Sequence, residues 1–191
     1  WKEKVPRELY QYHETKHIAT LINGTKVYFR YIRNLEDALS YQGRSMDFIG
    51  VDELTQHEER PIQILLSCLR SPKGYPPRFR GTCNPGGIGH LWVKNRYIIP
   101  TDYGKKWAID ELTGNTIAFI PATVYDNYVL MENDPAYVRR LENLPPALRK
   151  AYKDGDWGAY EGQAFAEFSR EIHVCEPFII PDHWTRWRSV D

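Results

Sequence analysis

Met46-Asp47-Phe48-Ile49-Gly50-Val51-Asp52-Glu53 is a mostly apolar run that ends in two adjacent acids. Its make-up suits a buried strand over 46–51, delivering both carboxylates at the strand's carboxyl end. That is where open α/β sheets place their ligands. The next segment, 58–69, sets Ile62, Leu65, Leu66 and Leu69 at i, i+3, i+4 and i+7. This spacing predicts a helix with one apolar face, stopped by Ser71-Pro72. A short strand over 79–83 follows and breaks at Asn84-Pro85-Gly86-Gly87. Strand, helix and strand in succession favour a layered α/β core.

Outward from this centre, 17–32 reads as a hairpin. Asn23-Gly24 is the dipeptide that best tolerates the two positive φ angles of a type I′ turn, and 26–32 is rich in strand formers. A short helix over 35–41 closes at Gly43. Downstream, 91–99 is a helical candidate, and 107–109 and 116–120 read as strands around Thr113-Gly114-Asn115. Asn133-Asp134-Pro135 has the make-up of a helix start, with Tyr137, Val138, Leu141 and Leu144 facing inward until Pro145-Pro146. A second short helix ends near Asp154-Gly155. From Gly162 the chain turns irregular and aromatic, and 187–191 reads as the start of a further strand. The hairpin signals on both sides of the centre add antiparallel strands to the core.

Composition narrows the class. Of 191 residues, 42% are apolar and 26% charged, an ordinary globular balance long enough for one sizeable core. Lys plus Arg equals Asp plus Glu at 25 each, so net charge carries no signal for a nucleic-acid partner. Cys68, Cys83 and Cys175 are odd in number and far apart, which fits neither a disulfide framework nor paired zinc ligands and favours a reducing cytoplasm. No apolar run reaches membrane-spanning length. His13 and His17 share helical spacing without an acidic or cysteine partner, and read as a surface pair. Lys94, Arg96, Lys105 and Lys106, interleaved with Trp92, Tyr97, Tyr103 and Trp107, form a loose basic-aromatic cluster of the kind that meets DNA phosphates, or a solvated face.

The acids carry the chemical argument. In a nucleotide hydrolase, the first acid after such a strand helps hold Mg²⁺, usually through water, because this hard cation keeps much of its shell. The second positions and polarises the attacking water. Asn84 at a neighbouring strand tip can donate and accept hydrogen bonds to water or a γ-phosphate. Each feature alone has a plain reading: solvated acids at a helix entry, and a turn rich in Asn, Pro and Gly.

As a set, the features resemble the large terminase subunits, the DNA-packaging motors of phages. Asp52-Glu53, an amphipathic helix and a strand ending in Thr82-x-Asn84-Pro85 are similar to that family's Walker B and coupling motifs. The likeness continues through Gly89-His90-x-Trp92-x-Lys94, the stretch from Asp126-Asn127 to Asp134-Pro135-x-Tyr137, and Leu141-x-x-Leu144. It includes Asp154-Gly155-Asp156-Trp157 and Gly162-x-x-Phe165-x-x-Phe168. The resemblance implies an incomplete P-loop ATPase core of the ASCE type, α/β, with a mixed, mainly parallel sheet that lacks its Walker A strand, loop and helix. Residues 1–160 would be the carboxyl-terminal part of the ATPase domain. Residues 161–191 would be the link to, and first strand of, an RNase H-like nuclease. ATP and Mg²⁺ are the implied cofactors. Asp52 would assist Mg²⁺, Glu53 would be the catalytic carboxylate, and Asn84, with Thr82, would sense the γ-phosphate and couple hydrolysis to movement. Arg44 is a candidate for reaching a neighbouring subunit's ATP, and Asp191 falls where a nuclease metal ligand stands. The implied partners are double-stranded DNA, the portal protein, the small terminase subunit and further copies in a ring, in the host cytoplasm.

The phosphate-binding pattern Gly-x-x-x-x-Gly-Lys-Ser/Thr is absent from these 191 residues. In this family it precedes the Walker B strand by a long interval, so it is expected before Trp1, and this stretch alone is expected to be inactive. Two other readings stay open: another Asp-Glu-box ATPase such as a helicase, and a non-catalytic interaction module derived from such a fold.

Overall fold

The computed structural model describes residues 2–158, 170–185 and 187. Its centre is the expected strand–helix–strand unit. Strand β4 (Phe48–Val51) and strand β5 (Arg78–Gly81) pair in parallel, with Phe48 opposite Arg78 and Val51 opposite Gly81. Helix α2 (Glu59–Ser67) makes the crossover. Parallel neighbours need such a connection, because a tight hairpin only joins antiparallel strands. Along β4 the side chains alternate: Ile49 is buried, while Phe48 is 55% exposed. The covered face packs Ile49 with Ile62 and Leu65 of α2, and with Leu54, Val93, Ile98 and Trp157.

Two antiparallel sheets precede and follow this unit in the chain. Strands β1 (Tyr10–His13), β2 (Ile18–Leu21) and β3 (Lys26–Tyr28) form a meander, and β6 (Ala108–Ile109) pairs with β7 (Thr116–Ile117). The fold is therefore mixed α/β, with its one described parallel ladder at β4–β5. The antiparallel ladders lie in separate sheets before and after it in the chain, not added to the β4–β5 sheet itself. The β2–β3 connection differs from the type I′ expectation. Gly24 N donates to Leu21 O, Leu21 N donates to Thr25 O, and Gly24 alone in the loop has positive φ, at 81°. This is a three-residue loop with the glycine in the left-handed position, so Asn23 needs no left-handed backbone. His13 and His17 are not on a helix. His13 ends β1 and His17 sits in the β1–β2 turn at φ 49°, its Nδ1 3.1 Å from the Tyr12 hydroxyl.

The remaining helices largely follow the reading. In α1 (Leu35–Leu39), the Asn34 side chain caps the Asp37 amide. Helix α3 (His90–Val93) runs on as a π-helical segment, Lys94–Ile98, in which Ile99 N donates to Lys94 O. Asn133, expected to start a helix, instead ends α4 (Tyr128–Asn133) and donates from its side chain to Val129 O. The cap of α4 is Asn127, which accepts from Leu130 N. Pro135 still precedes a helix, α5 (Tyr137–Glu142), which buries Leu141. Helix α6 (Pro146–Asp154) ends at Gly155, whose left-handed φ of 64° turns the chain so that Trp157 re-enters the core. A last short helix, α7, spans Arg170–His173. The pattern Gly162-x-x-Phe165-x-x-Phe168 and Asp191 lie outside the described residues.

Candidate functional site at the tips of the parallel strands

The carboxyl ends of β4 and β5 lie side by side, which brings Asp52 to Thr82 and Glu53 to Cys83, with Asn84 the next residue along the loop after β5. Backbone bonds continue the ladder past the strands: Thr82 N donates to Val51 O at 3.0 Å, and Leu54 N to Thr82 O at 2.8 Å. The Thr82 hydroxyl donates to Asp52 Oδ1, crossing from one strand tip to the other. Asp52, Glu53, Thr82 and Asn84 are all exposed.

Glu53 is the point where the chain leaves the sheet. Its backbone is left-handed, at φ 51° and ψ 50°, and opens the short 3₁₀ turn Leu54–Gln56. A left-handed conformation costs a residue with a Cβ roughly 1 kcal/mol, and such strain concentrates where a side chain must be aimed. The turn resolves a geometric difficulty. Adjacent residues on a straight strand point to opposite faces, whereas here both acids serve the β5 tip. Asp52 accepts from Thr82, and the Glu53 charge acts on the thiol of Cys83. That thiol is pushed up to about 11, first by burial and then by Glu53.

The loop after Asn84 is fastened from beneath. Thr55, fully buried, donates from Oγ1 to Asn84 O at 2.8 Å, and its own carbonyl accepts from Gly89 N at 2.8 Å. The fit is close enough to require glycine: a Cβ on Gly89 would lie 2.4 Å from His57 O, and one on Gly87 2.5 Å from Thr55 O. Trp92 Nε1 donates to His57 O at 2.8 Å, tying α3 to the same turn.

Other expected site residues lie apart. Arg44 precedes β4 at its amino end, exposed, its guanidinium carbon 5.5 Å from the centre of the Tyr41 ring. The full length of the strand separates it from Asp52. The basic-aromatic cluster is not one surface. The Arg96 side chain is buried, binding Asp110 through Nε at 3.1 Å and Nη2 at 2.7 Å. Lys94 donates to the Trp157 carbonyl, Lys105 pairs with Asp102, and the Trp92 indole is bonded to His57. Arg96 lies in the π-helical segment and faces the β6–β7 hairpin through Asp110, so it is not part of a surface cluster. Cys68, Cys83 and Cys175 are all free.

A parallel βαβ unit with acids on one strand tip and Thr-x-Asn on the next defines an α/β protein with a loop-built, solvent-facing site. The chain belongs to the terminase large subunits: residues 2–172 match the family model described as "Terminase large subunit, T4likevirus-type, N-terminal". The match sets the chain in the N-terminal region of such a subunit and among proteins of DNA packaging. No curated protein and no solved structure matches it. Among the described residues, no helix is long and apolar enough to cross a membrane.

Thr55 and the left-handed backbone of Glu53 are contributors that sequence reasoning missed. A lone threonine after an acid pair carries no periodic signal, and glutamate is not a residue that advertises positive φ.

Proposed function

We propose that this chain supplies the Walker B and coupling elements of an ATP-driven motor that moves double-stranded DNA. Within the N-terminal ATPase region of the large subunit, residues 1–160 form its later part. Residues 161–191 lead toward a nuclease domain, with Asp191 as a metal ligand there. The observation that carries the reading is the cross-strand bond from Thr82 to Asp52. It fixes the first acid beside the strand tip that bears Asn84.

The donor set suits Mg²⁺ and a nucleotide triphosphate. Hard carboxylate oxygens at an open strand tip match a cation that keeps most of its water. Thr82 donates to Oδ1 of Asp52, and Oδ2 is the oxygen that would hold the hydrated cation. Glu53, turned out of the strand line by its backbone, orients and polarises the attacking water. The Asn84 amide can read the γ-phosphate, and the loop fastened to Thr55 transmits its state to α3. When bound, Mg²⁺ supplies charge neutralisation at the phosphates. Arg44, at the other end of β4, would act on a neighbouring subunit's nucleotide in a ring. The portal protein and the small terminase subunit complete the partner set.

The test is ATP turnover by the complete large subunit carrying Glu53→Gln or Asn84→Ala. Nucleotide binding should persist in Glu53→Gln while turnover falls by about 10²-fold or more. Turnover close to that of the unaltered subunit would overturn the assignment and favour a non-catalytic module.

A further inference from the structure

The loop that carries Asn84 is fastened on its other side by a histidine to which the proposed chemistry gives no role. His90, 1% exposed, opens α3 directly beyond the glycines. Its Nδ1 accepts from Gly86 N at 2.9 Å. Its ring also bonds the Trp157 backbone and stacks on the Trp157 ring, with centroids 5.3 Å apart and planes inclined by 29°. A nitrogen that accepts from an amide carries no proton, so in the neutral ring the proton sits on Nε2. The Trp157 carbonyl also accepts from Lys94 Nζ, and Phe119 meets the Trp157 ring edge-on at 6.0 Å. Burial, and next the Lys94 charge, hold His90 below the ordinary histidine range, against the opposing effect of the Trp157 bond.

We infer that His90 is a positioning residue: its neutral ring, seated against Trp157, latches the Asn84–Gly89 loop by accepting from the Gly86 amide. Three observations carry this. The Gly86 amide belongs to a glycine at φ 111°, a backbone with no helix or strand to hold it. Thr55 fixes both the loop's first carbonyl, Asn84 O, and its last amide, Gly89 N, so His90 provides the side-chain fastening between them. Trp157, 3% exposed, is the most deeply set of the described residues after α6, which makes it an anchor. Movement of the Asn84 loop therefore has to displace the ring from Trp157 or break its bond to Gly86. The latch itself is independent of the chemistry. Its effect on turnover rests on the nucleotide reading proposed above.

Two substitutions separate the ring's two edges. In His90→Asn, the amide oxygen takes the position of Nδ1 and still accepts from Gly86. In His90→Gln, the polar group moves to the position of Nε2 and Gly86 loses its acceptor. In the complete large subunit, His90→Asn should keep kcat within about threefold. His90→Gln should lose about tenfold to a hundredfold in kcat, with KM for ATP little changed, as expected when a reacting group is misplaced rather than removed. The Gly86 amide, followed by hydrogen exchange, should stay protected in His90→Asn and open in His90→Gln. Equal losses in both variants, or a His90→Gln subunit that turns over normally with Gly86 still protected, would overturn the latch. Glu53→Gln serves as the control. If it turns over ATP normally, the nucleotide reading fails, and Gly86 exchange alone decides the latch.

Discussion

Thr82 donates its hydroxyl to Asp52 Oδ1 across the tips of β5 and β4, and this bond joins the two motifs that the sequence presents thirty residues apart. It follows from the register. Val51 pairs with Gly81, so the residues immediately beyond them come level. Removing the hydroxyl should therefore affect the site more than the fold. Thr82→Val in the complete large subunit should lower ATP turnover by about tenfold, the usual cost of losing a group that orients a metal-associated ligand. Thr82→Ser should restore most of it. Unchanged turnover in Thr82→Val would show that Asp52 needs no such support.

Cys83 reports on Glu53. The thiol is pushed up to about 11, by burial and then by the neighbouring carboxylate. At neutral pH, Cys83 should react with a thiol reagent far more slowly than exposed Cys175. Glu53→Gln removes the charge that opposes the thiolate, so the Cys83 rate should rise. An identical rate in the two proteins would mean that the Glu53 carboxylate points away from the β5 tip.

Arg96 links three elements. It binds Asp110 in two places, and its Nη1, which has no hydrogen-bond partner, lies 3.8 Å from Glu59 at the start of α2. Thr113 Oγ1 also donates to Asp110. With the side chains of Arg96 and Asp110 only 8% and 6% exposed, truncating one partner strands a buried charge. Arg96→Met should cost about 3–5 kcal/mol in urea unfolding, and the double change with Asp110→Leu should recover much of that. A loss below about 1 kcal/mol, typical of surface pairs, would contradict the buried arrangement.

His90 sets a pH dependence. Its folded pKa lies below the ordinary 6.5, so the unfolded chain takes up this proton first as pH falls. The stability it contributes is complete above about 6.5 and is lost progressively as pH drops through the folded value. Urea midpoints at several pH values, compared between the unaltered protein and His90→Asn, isolate this contribution. The unaltered protein should lose more stability on acidification.

The centre of this fold was legible because its signals are local and periodic. The apolar run before Asp52 and the i, i+3, i+4, i+7 spacing of Ile62 to Leu69 gave β4 and α2. Helix α2 packs its apolar face as the spacing predicts, whereas β4, expected to be buried, covers Ile49 and leaves Phe48 exposed because only one of its faces is packed. Strand β1 was not legible, since Tyr10, Gln11, Tyr12 and His13 become a strand only by pairing with β2. Asn133 misled because an Asn-Asp-Pro start and a helix end share composition, and the cap went to Asn127. Arg96 read as a surface cation, as most arginines are. It lies in a π-helical segment and binds Asp110, fourteen residues away, and single-sequence periodicity registers neither. Within the site, residue types announced Asp52, Glu53 and Asn84. Their adjacency required the β4–β5 register, and the fastening by Thr55 and His90 required the folded loop.

The most direct measurement is the crystallographic position of Mn²⁺, in place of Mg²⁺, in the complete large subunit with a non-hydrolysable ATP analogue. A hard divalent ion held through water should give anomalous density roughly 4 Å from the Asp52 carboxylate, with the γ-phosphate facing Glu53 and Asn84. Density for ion and nucleotide at any site remote from these strand tips would contradict the account.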